Sequence, residues 1–410
     1  MSDKTILVIG TYDTKDDELG FLADVIRDQG GCVVTMDVSV LGDPSAPCDY
    51  SKHEVALAGG SSIKAAIASG DENAAMQIMA RGAGVLTARL HGEGRFDGMI
   101  VLGGTMGTDL ALDVCASLPL GVPKYIVSTV SFSPLIPAER LAADTQMILW
   151  AGGLYGLNSV CKAALSQGAG AVLGAARAVM APDRTRPLIG MTSLGKSALK
   201  YMVPLKPALE ERGFEVAVFH ATGMGGRAFE SLAAQGAFAC VFDFCTQELG
   251  NFIHGSDISA GPGRLTNAGL AGTPQLVAPG CYDLVDIVGW RPVPDKWADH
   301  PKHAHNRLLT SIVLDHEERR AVARAHSEQL ARAKGPVAVL LPQDGLGEWD
   351  REGADLHNKA GLEVFLAELQ ATLPDRVETH RINGHINDAI FAETALAVFD
   401  AWRAAGYVAG

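Results

Sequence analysis

The sequence predicts an α/β protein with two Rossmann-like domains, each a mostly parallel sheet flanked by helices and related to the other by an internal repeat. Three observations support this. Short apolar runs alternate with segments of helical period. Landmarks in the first half recur in the same order in the second. A chain of 410 residues is also too long for one ordinary hydrophobic core.

The first domain opens with a strand, a helix and a second strand. An apolar run at residues 6–9 ends at Gly10, and a polar loop follows it. Residues 16–29 carry leucine and isoleucine at helical spacing until Gly30 and Gly31 end the pattern. Residues 32–38 then resume an apolar strand. The order predicts a β-loop-α-β unit.

The internal repeat rests on three pairs of landmarks. The start of this unit is matched at residues 187–219, where a strand, a loop, a helix and a strand recur. Residues 96–105 are matched by 238–246, and residues 121–129 by 272–280. A polar, proline-bracketed stretch at residues 182–187 suits a linker. We therefore expect one domain at residues 1–182 and a second at residues 183–410.

Composition narrows the classes of partner and the location. A net charge of -13 argues against binding to nucleic acid or to an anionic membrane. No apolar run is long enough to span a bilayer, and the N-terminus lacks signal-peptide features. Seven cysteines without a C-x-x-C pair are typical of reduced thiols. We expect a cytoplasmic protein that binds a small molecule.

Two loops of the first half are suited to phosphate. Residues 10–15 (GTYDTK) lie between a strand and a helix, and supply Thr11, Asp13, Thr14 and Lys15 to phosphate oxygens or a metal. Residues 103–108 (GGTMGT) follow a buried strand and precede a helix expected at residues 109–118. Glycines there let backbone amides approach an anion. Its binding residues would be Gly103, Gly104, Thr105, Gly107 and Thr108.

Other polar residues at strand ends would complete this site. Asp37 ends the second strand. There it either binds a ribose hydroxyl or is simply a turn residue at the strand end. Ser128 and Thr129 close a later strand, and Asn158 lies in a glycine-rich segment. We expect these side chains to form a polar rim.

Residues 190–197 (GMTSLGKS) fit the P-loop pattern G-x-x-x-x-G-K-[ST] after a strand. Taken literally, the pattern names a nucleotide triphosphatase. Pro204 and Pro207 are expected to break the helix that would carry the phosphate, and the repeat already explains the loop. A P-loop ATPase therefore stays an alternative.

The second half has polar clusters of its own. Arg227 follows the glycine-rich segment 222–226, and Glu248 lies near the end of another strand. These suit a small anionic or carbonyl substrate, or merely a loop cap with an Arg-Glu pair. His385 lies at the start of the last helix. Its side chain either points into a cleft or belongs to the N-terminal cap of that helix. His300, His303 and His305 would also fit a metal site, although no cysteine accompanies them.

Six separated segments, in order from near residue 5 to the C-terminus, resemble the Tm-1-like ATP-binding domain family, whose namesake is the tomato mosaic virus resistance protein. The segments are residues 10–15, 37–39, 103–108, 123–129, 219–227 and 385–388. The resemblance implies two Rossmann-like domains, ATP with Mg2+ on the first, and a homodimer. It places nucleotide contacts in the two glycine-containing loops and at Asp37. It also matches Arg81 to an arginine that reaches phosphate, unless Arg81 is simply a solvated helix residue.

Three functions follow from these expectations. The first is an ATP-dependent enzyme that phosphorylates or ligates a small acid in the interdomain cleft. There Lys15 would stabilise the transferred charge, and Arg227, Glu248 or His385 would position the acceptor. The second is a nucleotide-sensing or partner-binding module without catalysis. The third is a P-loop ATPase at residues 190–197. The sequence does not identify the substrate or the metal ligands.

Overall fold

A computed structural model describes residues 3–180 and 185–409 of the chain. Contacts divide the chain into two compact units, Met1–Ala181 and Pro182–Gly410. The linker expected at residues 182–187 lies partly outside the described residues. Each unit is an α/β fold with a parallel sheet flanked by helices, so the predicted fold class is confirmed.

The first unit is built on a five-stranded parallel sheet with the strand order β2-β1-β3-β4-β5. Its strands are β1 (Thr5–Gly10), β2 (Cys32–Asp37), β3 (Gly98–Gly103), β4 (Lys124–Ser128) and β5 (Thr145–Leu149). Its helices are α1 (Asp16–Asp28), α2 (Lys52–Ala58), α3 (Ile63–Ala68), α4 (Glu72–Gly92), α5 (Thr105–Ala116) and α6 (Ser159–Ala178), with a 3-10 turn at Ala138–Arg140.

Helices cover both faces of this sheet, which explains the continuous apolar runs of its strands. In β1, Leu7 and Ile9 belong to the core shared with α2, α4 and α5. Ile6 and Val8 point the other way, into the core shared with α1 and α6. Because successive side chains of a strand alternate between faces, a strand buried on both sides carries no polar position. The carboxyl ends of the strands are left for polar loops.

The second unit contains a six-stranded parallel sheet with the order β14-β13-β9-β8-β6-β7, and a separate antiparallel sheet with the order β10-β12-β11. The strands are β6 (Leu188–Ser193), β7 (Glu215–His220), β8 (Cys240–Cys245), β9 (Gln275–Gly280), β10 (Leu284–Val288), β11 (Lys302–Ala304), β12 (Leu309–Val313), β13 (Val337–Pro342) and β14 (Glu378–Ile382).

In the described part of this unit, seven helices accompany the two sheets, together with 3-10 turns at Asp295–Trp297 and Glu348–Asp350. The helices are α7 (Met202–Glu211), α8 (Met224–Ala234), α9 (Gln247–Ile253), α10 (Asn267–Leu270), α11 (His316–Leu330), α12 (Lys359–Thr372) and α13 (Ala389–Ala404). None of the helices in the described parts of the chain is both long and apolar enough to cross a bilayer.

The internal repeat is visible in the strand order. Read from one edge, the first sheet begins β2-β1-β3-β4 and the second contains β7-β6-β8-β9. The segments paired by sequence provide these strands: β1 matches β6, β3 matches β8 and β4 matches β9. The second unit then adds β13 and β14 where the first ends with β5.

Two local expectations about helices are wrong. Helix α5 begins at Thr105 rather than at residue 109, so most of the glycine-rich loop is the first turn of the helix. Helix α7 runs through Pro207 instead of breaking there. Pro204 lies in its first turn, where a missing N–H leaves no helical hydrogen bond unmade.

A buried arginine holds the second unit together. Arg264 is fully buried and donates two hydrogen bonds to Asp243, of 2.5 and 2.6 Å. It also donates to Glu248 at 2.8 Å and lies 3.4 Å from a Glu230 oxygen. Glu230 in turn accepts hydrogen bonds from the backbone N–H groups of Leu265 and Asn267. Arg264, in the segment that precedes α10, therefore links that segment to α8, β8 and α9.

Replacing Arg264 with alanine should destabilise the second unit strongly. The change leaves buried carboxylates without their counter-charge, which typically costs about 3 to 5 kcal/mol. Denaturant unfolding followed by tryptophan fluorescence measures this loss, because Trp290, Trp297, Trp349 and Trp402 all lie in the second unit.

Arg291→Ala is the matched control. Arg291 pairs with Asp257 at 2.6 Å, but both side chains are more than half exposed, and exposed pairs contribute little. Equal unfolding midpoints for the two variants would contradict the role assigned to Arg264.

Candidate functional site

The largest concentration of predicted site residues lies at a cavity of about 620 Å³ in the first unit. It opens at the carboxyl ends of β1 and β3, where the strand order changes direction, and ligands of such sheets bind there. We call it the switch-point cavity. Its lining residues are Thr11, Asp13, Thr14, Lys15, Val40, Leu41, Ala66, Ile67, Gly70, Asp71, Glu72, Ala75, Met76, Gly103, Gly104, Thr105, Met106 and Gly107.

The structure brings the two predicted phosphate loops together at this cavity. Residues 11–15 follow β1, and residues 103–107 follow β3, its neighbour in the sheet. Eight of the residues proposed for cofactor binding line the cavity: Thr11, Asp13, Thr14, Lys15, Gly103, Gly104, Thr105 and Gly107.

Two of the helices that begin at this cavity, α1 and α5, differ from the other helices in the described part of the first unit. Helices α1 and α5 have no side chain that caps their first turn. The remaining four helices are each capped by a side chain, from Ser51, Ser62, Asp71 and Asn158. Because the first N–H groups of a helix lack partners within the helix, uncapped starts leave donors for a ligand or water. Two such starts meet at the switch-point cavity.

The close approach of α5 to β3 requires glycine at position 103. A Cβ atom there would lie 2.5 Å from Gly107 Cα and 2.7 Å from its carbonyl carbon. The contact is with backbone, which cannot rotate away. Gly103 therefore lets α5 start directly at the end of the strand, with its amide groups towards the cavity.

The Lys15 ammonium lies between hydroxyl groups. Its Nζ donates to Thr14 Oγ1 at 3.1 Å and to Thr11 Oγ1 at 3.4 Å. Within the described residues, no carboxylate lies within ion-pair distance of this nitrogen. The half-buried positive charge at this loop is thus not neutralised by a direct partner.

The remaining walls of the cavity were missed by sequence reasoning. Leu41 is 79% exposed and Ile67 is 49% exposed, although both are apolar and face the cavity. Asp71 and Glu72 contribute carboxylates from the start of α4. Leu41 follows the strand-end segment 37–39, so its position was accessible from the sequence. The contribution of α3 and α4 depends on packing that carries no local motif.

Asp37 does not line the cavity and does not have the expected role. It is buried, and its Oδ1 accepts hydrogen bonds from Tyr12 N at 3.3 Å and from Ser39 N at 2.9 Å. The Ser39 hydroxyl donates to the same oxygen. Asp37 therefore fixes the loop after β1 to the end of β2 instead of facing a ribose.

The predicted polar rim is not formed as a unit. Ser128 is fully buried and bonds to Thr108 Oγ1 at 2.6 Å, so both hydroxyls are engaged internally. Asn158 caps α6 by accepting from Val160 N and Cys161 N. None of these three side chains lines the switch-point cavity.

Two further candidates lie outside the cavity lining. Thr129 is half-buried after β4, and its N–H donates to Gly103 O at 3.4 Å. Arg81 is exposed on α4, more than one turn beyond Met76, the last residue of that helix in the cavity lining. Its position fits a solvated helix residue.

The P-loop pattern at residues 190–197 does not form a P-loop. Its first four residues belong to β6, and Lys196 lies in an exposed turn. Helix α7 begins only at Met202, whereas a P-loop lysine and the hydroxyl after it open the helix. Ser197 Oγ instead accepts a hydrogen bond from Trp349 Nε1 at 2.9 Å.

An internal carboxylate fills the glycine-rich loop of the second unit. Glu248 is fully buried and accepts hydrogen bonds from the backbone N–H groups of Gly223 and Gly226 at the start of α8. A Cβ atom on Gly226 would lie 1.9 Å from Glu248 Oε2. Glu248 thus occupies the place expected for an anionic substrate, and the catalytic role predicted for it does not fit.

His385 also has a structural environment. It is buried; its Nε2 lies 2.9 Å from Gly347 O, and its Nδ1 lies 3.1 Å from Asn387 N. Burial lowers the pKa of the imidazole, which favours the neutral form. Arg227 donates to Ser259 O at 3.1 Å and thereby joins the same unit's loop network. Neither geometry supports positioning of an acceptor.

His300, His303 and His305, which the sequence offered as a metal site, do not converge. The His303 ring lies 4.2 Å from the Trp349 ring, and 6.4 Å from the His305 ring. His300 instead approaches Asp315 and Glu318, with possible ligand atoms within 4.8 Å of one another. Asp315 and Glu318 form the reciprocal capping box of α11, which accounts for both carboxylates.

The N-terminal domain model of the uncharacterised protein family UPF0261 matches residues 4–181, and the C-terminal domain model matches residues 186–403. The chain belongs to UPF0261. A UPF0261 protein of Brucella melitensis is 55% identical over 403 residues, covering 98% of this chain and 96% of that protein.

A plant relative agrees with the resemblance seen in the sequence. The ToMV resistance protein of Solanum lycopersicum is 27% identical, over 96% of this chain and 55% of the plant protein. Among solved structures, Acinetobacter baumannii MurG aligns over 97% of this chain and 99% of its own, at 10% identity and a TM-score of 0.21. That score carries no argument about function.

This UPF0261 member also contains an unusual buried acid outside the cavity. Asp283, directly before β10, is buried, and neither carboxylate oxygen has a hydrogen-bond partner within the described residues. Burial and the neighbouring charge of Asp350 raise the pKa of Asp283 above its ordinary value, while Arg319 opposes them. Burial likewise raises the pKa of Glu230 to about 7. Protonated side chains at these positions favour the folded second unit.

Asp283→Asn should stabilise the second unit increasingly as the pH rises from about 4 towards neutrality. A carboxyl whose folded-state pKa is raised stabilises fully below its unfolded pKa, and loses this contribution as the pH approaches the folded value. An asparagine has no such loss. Since one pKa unit corresponds to about 1.4 kcal/mol, a gain of at least this size is expected at neutral pH.

Denaturant midpoints at several pH values from 4 to 8 test this. Asp355→Asn, an exposed residue of the same unit, provides the control and should show no such trend. A stability gain for Asp283→Asn that does not vary with pH would contradict the explanation.

Proposed function

We propose that the first unit binds Mg-ATP in the switch-point cavity. One observation carries the proposal: the starts of α1 and α5, which have no side-chain cap, meet at the same cavity beside the Lys15 ammonium, which has no ion-pair partner within the described residues. Free amides at helix starts and a lysine are the groups that hold polyphosphate in many unrelated nucleotide sites.

The triphosphate would lie along the start of α5. The amides of Thr105, Met106 and Gly107 are the first donors of that helix, and the backbone hydrogen bond from Thr108 to Gly104 begins the helical series after them. Lys15 would approach the same oxygens from the β1 side. The positive end of the helix dipole adds to this attraction.

Magnesium fits the composition of the cavity. Asp13, Asp71 and Glu72 line it, so carboxylates outnumber the single lysine. A bare triphosphate would be repelled by these groups, whereas Mg2+ prefers carboxylate and phosphate oxygens together. Bound magnesium would neutralise charge on the phosphates, and individual acids of this lining would contact it directly or through water.

The apolar wall suits the nucleobase. Leu41 and Ile67 are both substantially exposed, and they face the cavity together with Val40 and Ala66. Large apolar side chains on a surface cost free energy unless a partner covers them. A purine ring placed on this wall would remove them from water and leave the polar end of the nucleotide at α5.

Nucleotide binding without catalysis is the function that the geometry supports best. Glu248 and His385, which were expected to position an acceptor, are engaged in the internal hydrogen bonds of the second unit. ATP-dependent phosphoryl transfer or ligation is therefore the second candidate. Under that candidate, Lys15 remains the residue that would stabilise the transferred charge.

Lys15→Ala should weaken Mg-ATP binding at least tenfold. The change removes the one cation of the cavity lining, and a tenfold loss corresponds to about 1.4 kcal/mol. Isothermal titration calorimetry of the full chain with ATP, in the presence and absence of magnesium, measures this loss. Omitting magnesium should weaken binding to the unchanged protein as well.

Two lysines serve as controls. Lys64 is exposed on α3 and does not line the cavity, so Lys64→Ala should preserve affinity. Lys196→Ala should also preserve it, because Lys196 does not open a helix. A loss confined to Lys196→Ala would support the P-loop alternative and overturn the proposed site.

A further inference from the structure

A second cavity of about 570 Å³ adjoins the first one in the same unit. Thr105 and Met106, from the first turn of α5, line both cavities. Asp71, Glu72 and Met76, from the start of α4, also face both. We call this space the adjoining cavity. A molecule bound there would lie next to whatever the start of α5 holds.

One side of the adjoining cavity is apolar. Leu112 comes from the next turn of α5, while Val130, Leu135 and Ile136 come from the segment that follows β4. Leu135 is 67% exposed. The combination of a defined volume and an apolar wall is typical of sites for compact organic molecules.

The polar side of this cavity is acidic. Asp71, Glu72 and Asp109 line it, and Arg140 is its single cation. The Arg140 guanidinium donates to the Asp109 side chain, to Asp109 O at 3.0 Å and to Asp113 Oδ1 at 2.7 Å. Because Arg140 is bound to two carboxylates, the cavity retains a net negative charge.

We propose that the adjoining cavity binds a compact, partly apolar amine in its protonated form. The ammonium would face Asp71 and Glu72 at the start of α4, and the apolar body would contact Leu112 and Leu135. A carboxylate would meet like charges there, so the small acid expected from the sequence does not suit this space. The inference rests on the proposed function in making the amine a neighbour of the nucleotide, and the two proposed sites share Asp71 and Glu72.

Three ligands of similar size and different charge test the proposal. 2-Phenylethylamine, 2-phenylethanol and 3-phenylpropanoate are titrated into the full chain by calorimetry, without nucleotide or magnesium and at low salt, which limits screening. The amine is expected to bind at least tenfold more tightly than the alcohol, and the propanoate least. No binding of the amine, or equal binding of amine and propanoate, would overturn the proposal.

Substitutions locate the binding. Leu135→Arg places a positive charge at the apolar wall and should weaken amine binding at least tenfold. Leu308→Arg, at a leucine of the second unit that is 70% exposed, is the matched control and should leave it unchanged. Equal effects of the two variants would show that the amine binds elsewhere.

The two proposals fail in different ways. Leu135 does not line the switch-point cavity, so Leu135→Arg should preserve Mg-ATP affinity. Lys15→Ala should weaken Mg-ATP while leaving the amine affinity intact, since Lys15 does not line the adjoining cavity. If the unchanged protein binds Mg-ATP but not the amine, only the inference is rejected. If it binds the amine but not Mg-ATP, only the nucleotide site is rejected.

Discussion

The candidate site depends on one steric constraint, the contact between the end of β3 and the first turn of α5. At Gly103 the backbone of Gly107 lies where a side chain would begin. A residue with a Cβ atom would push the helix away from the strand, and the amides of its first turn would move with it. The position of those amides, next to Lys15 on the neighbouring strand's loop, follows from this contact and from the parallel pairing of β1 with β3.

The two units share a strand order, but the residues that follow corresponding strands differ in burial. In the first, Thr105 and Met106 are exposed where α5 begins. In the second, the corresponding residues after β8, from Thr246 to Glu248, are fully buried. Arg264 lies among carboxylates at this position, and its burial is tolerable only because its charge is paired on several sides. A shared fold therefore gives an open site in one unit and a sealed polar core in the other.

The sequence was sufficient for the fold class, for the repeat and for both loops at the cavity, because these depend on local patterns. Hydrophobic period predicts strands and helices, and glycine after a buried strand predicts a close backbone approach. The sequence did not predict the role of a side chain where that role depends on a contact with residues distant in the chain. Nothing near Glu248 in the chain indicates that Arg264 and two distant amides bind it. The walls from α3 and α4 likewise depend on tertiary packing.

The Glu248 carboxylate holds the start of α8 from within the protein itself. A tethered carboxylate is present at a fixed effective concentration and cannot dissociate or be depleted. The conformation of the α8 loop is thus independent of metabolite supply. Within the described residues, no carboxylate holds the first amides of α1 or α5 in this way.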